Sequence, residues 1–309
     1  MGLKIISTGS YLPQKIVKNT DLEKIMDTSD EWIQKRTGIA ERRYVENEDT
    51  SDLAYHAAAE ALKDIVDTGN IKAIITASFT PDIVMPNMSS LIHNRLGLAE
   101  EVFSLDINMA CSGFCGALRV AEGILKHGEL GLVISSEVIS KHLNMEDRST
   151  AVLFGDGAGA VVVEKTDDDQ YFDFGVVEGY ESLMMHAKNT GNHPDYVTMN
   201  GKEVFRFAVR SVPLTINRLL ENYKIDIDDI DHIVLHQANK RIIEHVSKVL
   251  KLDIDRFYMN LSKYANTSAA TIPIALDEMN REGILKQGDK ILFVGFGAGL
   301  SYCSTLITW

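Results

Sequence analysis

The sequence predicts an α/β fold in which helices cover both faces of the sheets, and three observations carry that expectation. Short β-branched runs alternate with longer helical ones. The strand-like runs are apolar throughout instead of alternating, as suits strands buried on both faces. The 309 residues are 45% hydrophobic and 24% charged, with 6 Pro against 22 Gly. That globular composition excludes disordered, collagen-like and disulfide-dense classes. The length suits two domains or one large duplicated unit.

In chain order, a first strand is expected about Lys4 and Ile6. Ser51 reads as the N-cap of a helix over 52–66, where Leu53, Ala57, Ala58, Ala61, Leu62 and Ile65 recur at helical spacing. Strands follow at 71–79 and 102–108, then a helix over 111–126 and strands at 130–138 and 158–164. Helices over 201–223 and 239–250 flank a strand at 232–236. A helix over 272–281 has Pro273 in its first turn, where proline is tolerated. A strand at 290–296, a glycine turn and a last strand complete the pattern. The acidic run TDDDQYF at 166–172 is the expected junction between halves 1–165 and 166–309. A weak duplication shows, in which a strand leads into a helix near Cys111 and again near 238–240.

Lys and Arg number 31 and Asp and Glu 44, so the formal net charge is −13. That charge argues against bulk binding to nucleic acid or an anionic membrane. An acidic partner would need a local basic patch. Three cysteines, an odd count, argue against a secreted disulfide scaffold and for a reducing compartment. No secretory core with a cleavage site opens the sequence, and nowhere do 18 apolar residues run together. The expected location is the cytoplasm.

Three segments could carry chemistry. In DINMACSGFCG at 106–116, a strand runs into a tight turn that places Cys111 at or near the first turn of a helix. Unpaired N–H groups and the positive helix end stabilise a thiolate there, and the thiolate is the nucleophile. A small buried core cysteine is the plain alternative. Cys115 and Cys303 read as packing residues, since no second Cys or His pair stands at metal-ligand spacing. His236 ends an apolar strand and could project into a site or simply be structural. Asn266 lies in a small polar run, YANTSAAT at 264–271, which alone reads as an N-cap loop. Cys, His and Asn each at a transition into a helix is the arrangement that Cys–His nucleophilic catalysis requires. The glycine runs at 154–160 and 294–300 each precede a strand, not a helix, so neither is a dinucleotide site.

These segments belong to a longer series of ordered motifs: TGSYLP at 8–13, TSDEWI at 28–33, RTGI at 36–39, ACSGF at 110–114, DRSTAVLFGDGA at 147–158, HQAN at 236–239 and NTSAA at 266–270. Over its whole length the chain resembles the β-ketoacyl-acyl-carrier-protein synthase III family, the initiating condensing enzymes of type II fatty-acid synthesis in the thiolase-fold superfamily. The resemblance implies a thiolase-like fold: duplicated βαβαβαββ halves layered as an α-β-α-β-α sandwich, the first half bearing the nucleophilic Cys and the second the His and Asn. It implies a Cys111–His236–Asn266 triad, with Asn266 standing where chain-elongating relatives carry a second His. It further implies that an acyl-CoA primer acylates Cys111, and that malonyl-acyl carrier protein then loses CO₂ and condenses with the acyl group. The backbone N–H groups of Cys111 and Ala298 would hold the tetrahedral oxyanion.

By the same resemblance, Thr28, Trp32, Arg36, Arg148, Gly201, Phe205, Ala238, Asn239 and Ile242 would contact CoA. Arg241, Lys240, Gln237, Arg206 and Lys202 would meet the acidic carrier protein. Met85 and Phe296 would border the acyl pocket, with Met85 reaching a neighbour's pocket in a homodimer. No cofactor and no metal are expected; acyl-CoA and malonyl-acyl carrier protein are substrates. The chain departs from the family pattern at Ala265 and Ala298, where glycine is usual, and at 300–304, where LSYCS replaces an aromatic Thr-Trp-Gly-type run. These departures bear on primer length and branching. The alternatives are a thiolase-fold paralogue using another or branched primer, as a polyketide starter synthase does, and a catalytically silent acyl-CoA or carrier-protein binding module.

Overall fold

In the computed structural model, which describes residues 2–187 and 193–309, the chain opens with β1 (Gly2–Tyr11). A ribbon of β2 (Lys15–Lys18) and β3 (Glu41–Tyr44) brackets α1 (Asn19–Leu22) and α2 (Asp30–Thr37). Next come α3 (Thr50–Leu62), β4 (Ile71–Ala77), α4 (Met88–Leu96), β5 (Phe103–Ile107), α5 (Gly113–Ile124), β6 (Leu130–Glu137) and β7 (Gly157–Thr166). The second part holds β8 (Tyr171–Val176), the short pair β9 (Leu183–Met184) and β10 (Thr198–Met199), α6 (Gly201–Tyr223) and β11 (His232–Leu235). It ends with α7 (Lys240–Leu250), α8 (Leu261–Tyr264), α9 (Thr271–Arg281), β12 (Lys290–Gly297) and β13 (Ser301–Thr308).

Two sheets carry the fold, with strand orders β1-β7-β6-β4-β5 and β11-β12-β13-β8. Their pairings correspond. In the first, β1–β7 and β7–β6 are antiparallel, and β6–β4 and β4–β5 are parallel. In the second, β8–β13 and β13–β12 are antiparallel and β12–β11 is parallel. One parallel bridge from Ile233 to Phe257 marks where a fifth strand would lie. The duplication is real, but its register differs from the one expected. β11 answers to β4, so the counterpart of the Ala110–Ser112 turn before α5 is not 238–240. It is the Ser268–Ala270 turn before α9. Both turns open on a residue with positive φ, Ala110 at 44° and Ser268 at 51°.

The layers follow from where apolar faces can be buried. Helices α3 and α4 cover the outer face of the first sheet, α5 and α9 lie between the sheets, and α6 and α7 cover the outer face of the second. This is the α-β-α-β-α order. Strand β6 is buried at every position, including the polar Ser135, Ser136 and Glu137 that follow its apolar start. At the centre, Phe114 of α5 meets Phe293 of β12 edge to face at 5.8 Å. Both are fully buried, and each such side chain contributes about 2 kcal/mol by leaving water.

Two helices differ from their expected limits: α5 runs Gly113–Ile124 where the sequence predicts 111–126, Cys111 lying in the turn before it, and α3 is shifted at both ends. The N-cap of α3 is Asp49, in a capping box with Asp52. Ser51 lies inside the helix, where its N–H and hydroxyl both donate to Asp82 at 2.8 Å. The helix stops at Leu62, and Val66 is fully exposed.

A charged residue ends the apolar β6. Glu137 is fully buried and accepts from Ser78 Oγ at 3.2 Å, from the N–H groups of Phe79 and Thr80, and from Thr80 Oγ1 at 2.6 Å. These bonds fasten the chain leaving β4. Burial pushes its carboxyl up to about 8 from an ordinary 4.5, although the donors pull the other way. The folded state therefore keeps a proton that the unfolded chain releases above pH 4.5, so stability falls as pH rises towards 8. Urea unfolding of the wild type against Glu137→Gln should show this difference declining between pH 4.5 and 8 and flattening above. A pH-independent difference would refute the assignment.

Candidate active site

Cys111 sits in the turn that joins β5 to α5, one residue after Ala110, whose positive φ of 44° bends the chain sharply. Ala110 N–H donates to Asn108 Oδ1 at 3.2 Å, and Ser112 Oγ donates to the Met109 carbonyl at 2.8 Å. The end of β12 presses against this turn. A Cβ on Gly295 would come within 2.6 Å of Ser112 Cα, and one on Gly297 within 2.9 Å of Cys111 Sγ. Only bare α-carbons allow that approach. The nucleophile turn of the first half thus lies directly on the second sheet.

His236 follows β11 and is buried, its ring edge-on to Phe296 at 5.2 Å. Its backbone N–H donates to the Val294 carbonyl at 2.8 Å, which holds it in line with the sheet. Nδ1 lies 2.7 Å from Thr271 Oγ1, and that hydroxyl is 2.9 Å from the Ser268 carbonyl. Thr271 has one hydroxyl proton. When the proton goes to Nδ1, the ring keeps its own on Nε2 as a donor to the cavity. Burial lowers His236 from 6.5 to about 3, so the imidazole is neutral at any ordinary pH.

Asn266 is held at both ends of its backbone: its N–H donates to the Leu153 carbonyl at 2.9 Å, and its carbonyl accepts from Gly155 at 3.0 Å. Its side-chain Oδ1 accepts from Ser268 N–H at 2.8 Å. That bond fixes which end is oxygen and leaves the amide N–H₂ as a donor. Ser268 Oγ in turn donates to Cys111 Sγ at 3.4 Å. Burial pushes the Cys111 thiol up to about 12, against the lowering pull of that hydroxyl. The thiol is therefore protonated at rest, whatever help the helix end supplies.

Cys111, His236 and Asn266 line one cavity of about 170 Å³. Arg36, Gly201, Phe205, Ala238, Asn239, Ile242 and Phe296 line it too, beside Phe154, Leu183, Met199 and Gly297. Trp32 is partly buried, and the guanidinium carbons of Arg36 and Arg148 stand 5.8 and 5.1 Å from its ring centre. Thr28 Oγ1 is buried with no hydrogen-bond partner among the described residues. Asn239 caps α7 and donates to the Arg36 carbonyl at 3.1 Å, tying α7 to α2. Exposed Arg241 lies 5.5 Å from the Phe205 ring, with Lys240 beside it and Lys202 and Arg206 exposed on the first turns of α6.

Thr28, Trp32, Arg148, Ala298, Met85 and the expected carrier contacts Lys202, Arg206, Gln237, Lys240 and Arg241 do not line this cavity. Ala298 follows the lining residue Gly297 but does not itself line the space. Met85 is 86% exposed on the segment between β4 and α4. Gln237 is a correction: it is 1% exposed and cannot meet a partner. Its side chain instead bonds the Leu235 and Tyr258 carbonyls and the Asn260 N–H. Thr271, Ser268 and Glu137 were not singled out from the sequence. The first two stand in the same polar run as Asn266. A lone glutamate closing an apolar strand was the available signal for the third.

Residues 105–178 match the family model described as 3-oxoacyl-[acyl-carrier-protein (ACP)] synthase III, and residues 220–309 match its C-terminal counterpart. The β-ketoacyl-[acyl-carrier-protein] synthase III of Clostridium acetobutylicum is 44% identical, over 99% of this chain and 98% of that protein. The crystal structure of 3-oxoacyl-[acyl-carrier-protein] synthase III from Aquifex aeolicus superposes with a TM-score of 0.92 at 41% identity, covering 100% of both chains. A priming β-ketosynthase from a polyketide biosynthetic pathway gives 0.93 at 32% identity, over 99% of this chain and 96% of that one. The chain belongs to the β-ketoacyl-[acyl-carrier-protein] synthase III family, and is thus an acyltransferase of the condensing-enzyme class.

Proposed function

We propose that the protein condenses a short acyl-CoA primer, acetyl-CoA first among them, with malonyl-acyl carrier protein to start fatty-acid synthesis. The convergence of Cys111, His236 and Asn266 in one cavity carries this reading. Cys111 sulfur attacks the thioester carbonyl, the carbon–sulfur bond to CoA breaks, and the thiol proton ends on CoA. The backbone N–H groups of Cys111 and Ala298 hold the oxyanion in between. Malonyl-acyl carrier protein then loses CO₂, and negative charge builds on its thioester oxygen. His236 Nε2–H and the Asn266 amide donate to that oxygen. A histidine neutral down to about pH 3 suits such donation. The enolate carbon attacks the acyl carbonyl and expels Cys111 sulfur, which regains a proton. No step calls for a resident cofactor or metal.

Trp32, flanked by Arg36 and Arg148, suits an adenine and its phosphates at the mouth. Gly201, Phe205, Ala238, Asn239 and Ile242 would line the pantetheine path. Lys202, Arg206, Lys240 and Arg241 are exposed on the first turns of α6 and α7, the helices whose Gly201, Phe205 and Ile242 line the cavity, which supports docking of an acidic carrier despite the net charge of −13. Strand β5 is an open edge with Phe103 half exposed, and Val84 and Met85 stand out from a nearby segment. These features support a homodimer in which Met85 borders the neighbour's acyl pocket beside Phe296. Three buried free thiols suit a cytoplasmic setting. The likeness to a polyketide priming synthase supports a second reading with another primer; a panel of acetyl-, propionyl-, isobutyryl- and hexanoyl-CoA decides between them.

Three measurements test this. Radiolabel from acetyl-CoA should reach one equivalent on the wild type and none on Cys111→Ala. His236→Ala and Asn266→Ala should still label, yet release CO₂ from malonyl-acyl carrier protein about 10²–10³-fold more slowly. No label on the wild type would sink the proposal. Arg241→Glu should raise KM for malonyl-acyl carrier protein about three- to tenfold while acetyl labelling stays near wild type; an equal loss in both would move Arg241 to the CoA site. In sedimentation the wild type should run at twice its 34.3 kDa chain mass and Phe103→Asp at the single mass. A monomeric wild type would dispose of the shared acyl pocket.

A further inference from the structure

The reading of Cys111 as nucleophile leaves one question open, namely what stabilises its thiolate. His236 cannot do so as a cation, because burial keeps it neutral. Among the described residues, no lysine or arginine lines the cavity apart from Arg36, which is exposed at the mouth. The titratable groups on elements packed about the turn are Glu137 on β6, His236 beyond β11, Cys115 on α5, and Tyr302 and Cys303 on β13. Arg119 and Glu122 lie towards the far end of α5. Glu137, when ionised, opposes a thiolate.

Against that background stands Ser268, 1% exposed, with its hydroxyl 3.4 Å from Cys111 Sγ. Its backbone is turned elsewhere: the N–H goes to Asn266 Oδ1, and the carbonyl lies 2.9 Å from the Thr271 hydroxyl oxygen. Its φ of 51° is uncommon for a residue other than glycine, and in this conformation N–H, carbonyl and hydroxyl reach toward three different groups of the site. We propose that the Ser268 hydroxyl is a catalytic group, donating a hydrogen bond to the Cys111 sulfur as it becomes a thiolate, both at attack on the primer and at expulsion by the enolate. The hydroxyl keeps its own proton; the thiol proton leaves with CoA in the first step, and in the second the expelled sulfur takes a proton from solvent. A hydroxyl suits this site because it adds no charge to a buried cavity. It also strengthens as a donor only when negative charge appears on sulfur.

The test needs no acyl-CoA, so it stands apart from whether the wild type takes up acetyl label; failure of that labelling sinks the nucleophile reading and not this measurement. Alkylation of Cys111 by iodoacetamide is followed by mass spectrometry of its peptide across a pH series in the wild type, Ser268→Ala and Ser268→Gly. A hydrogen bond to a charged sulfur is worth about one to two units of thiol ionisation. Part of that is offset by the greater nucleophilicity of the more basic thiolate, leaving alkylation about three- to tenfold slower at each pH on the rising limb. Glycine relaxes the positive φ and alanine does not, so the same slowing in both assigns it to the lost hydroxyl. Should the alanine variant fail to fold by thermal melting, the glycine variant decides alone. Alkylation at or above the wild-type rate in a folded variant overturns the proposal.

Discussion

The structure depends on one close approach. Strand β12 runs so near the Cys111 turn that any side chain at Gly295 or Gly297 would collide with the backbone of Ser112 or with the sulfur itself. That contact sets the distance between the two sheets at their centre. The first residue of α5 is confined as well, since a Cβ on Gly113 would press on Ala77 and Ala269 at 2.9 and 3.1 Å. The close approach also places Cys111 of one half in the same cavity as His236 and Asn266 of the other. A core close-packed at this point transmits even a small shift to the site.

A second feature is that the site is buried and almost uncharged. Burial holds His236 neutral, Cys111 protonated and Glu137 near the edge of ionisation. The cations stay at the rim, where Arg36, Arg148 and Arg241 lean on aromatic rings. Charge thus appears in the cavity only when the reaction creates it. Fixed neutral donors in a low-dielectric space then act at their strongest, because nothing must reorganise to receive the new charge. A buried ion pair would instead bring its own desolvation cost and stabilise the ground state.

Most of this was legible in the chain. Periodicity located the major strands and helices because their burial is one-sided or complete, and α6 falls on its expected limits, Gly201–Tyr223. Cys111, His236 and Asn266 announced themselves by sitting where elements change. The failures have physical causes. Ser51 is a good cap by type, yet Asp49 wins because Asp52 completes the box and Asp82 claims the serine. Gln237 sits in a motif beside two exposed cations, and its burial comes from carbonyls contributed by residues 2 and 21 positions away. Thr271 and Ser268 act through bonds to residues 35 and 157 positions distant, and no local pattern encodes those.

The displaced duplication has a meaning for the chemistry. The turn before α5 and the turn before α9 are structural counterparts, each opening on a residue forced to positive φ, and they meet between the sheets. In one the bent residue is Ala110 and the nucleophile follows it. In the other the bent residue is Ser268 itself, and Ala269 takes the place of the cysteine. In the proposed reaction a single duplicated device therefore serves both sides. One copy presents a sulfur, while the other presents a hydroxyl to that sulfur and orients an amide for the enolate. A symmetric pair of cysteines would put two buried thiols face to face with no donor between them. Divergence at these two turns, more than at any other place in the halves, turns a repeated fold into an asymmetric site.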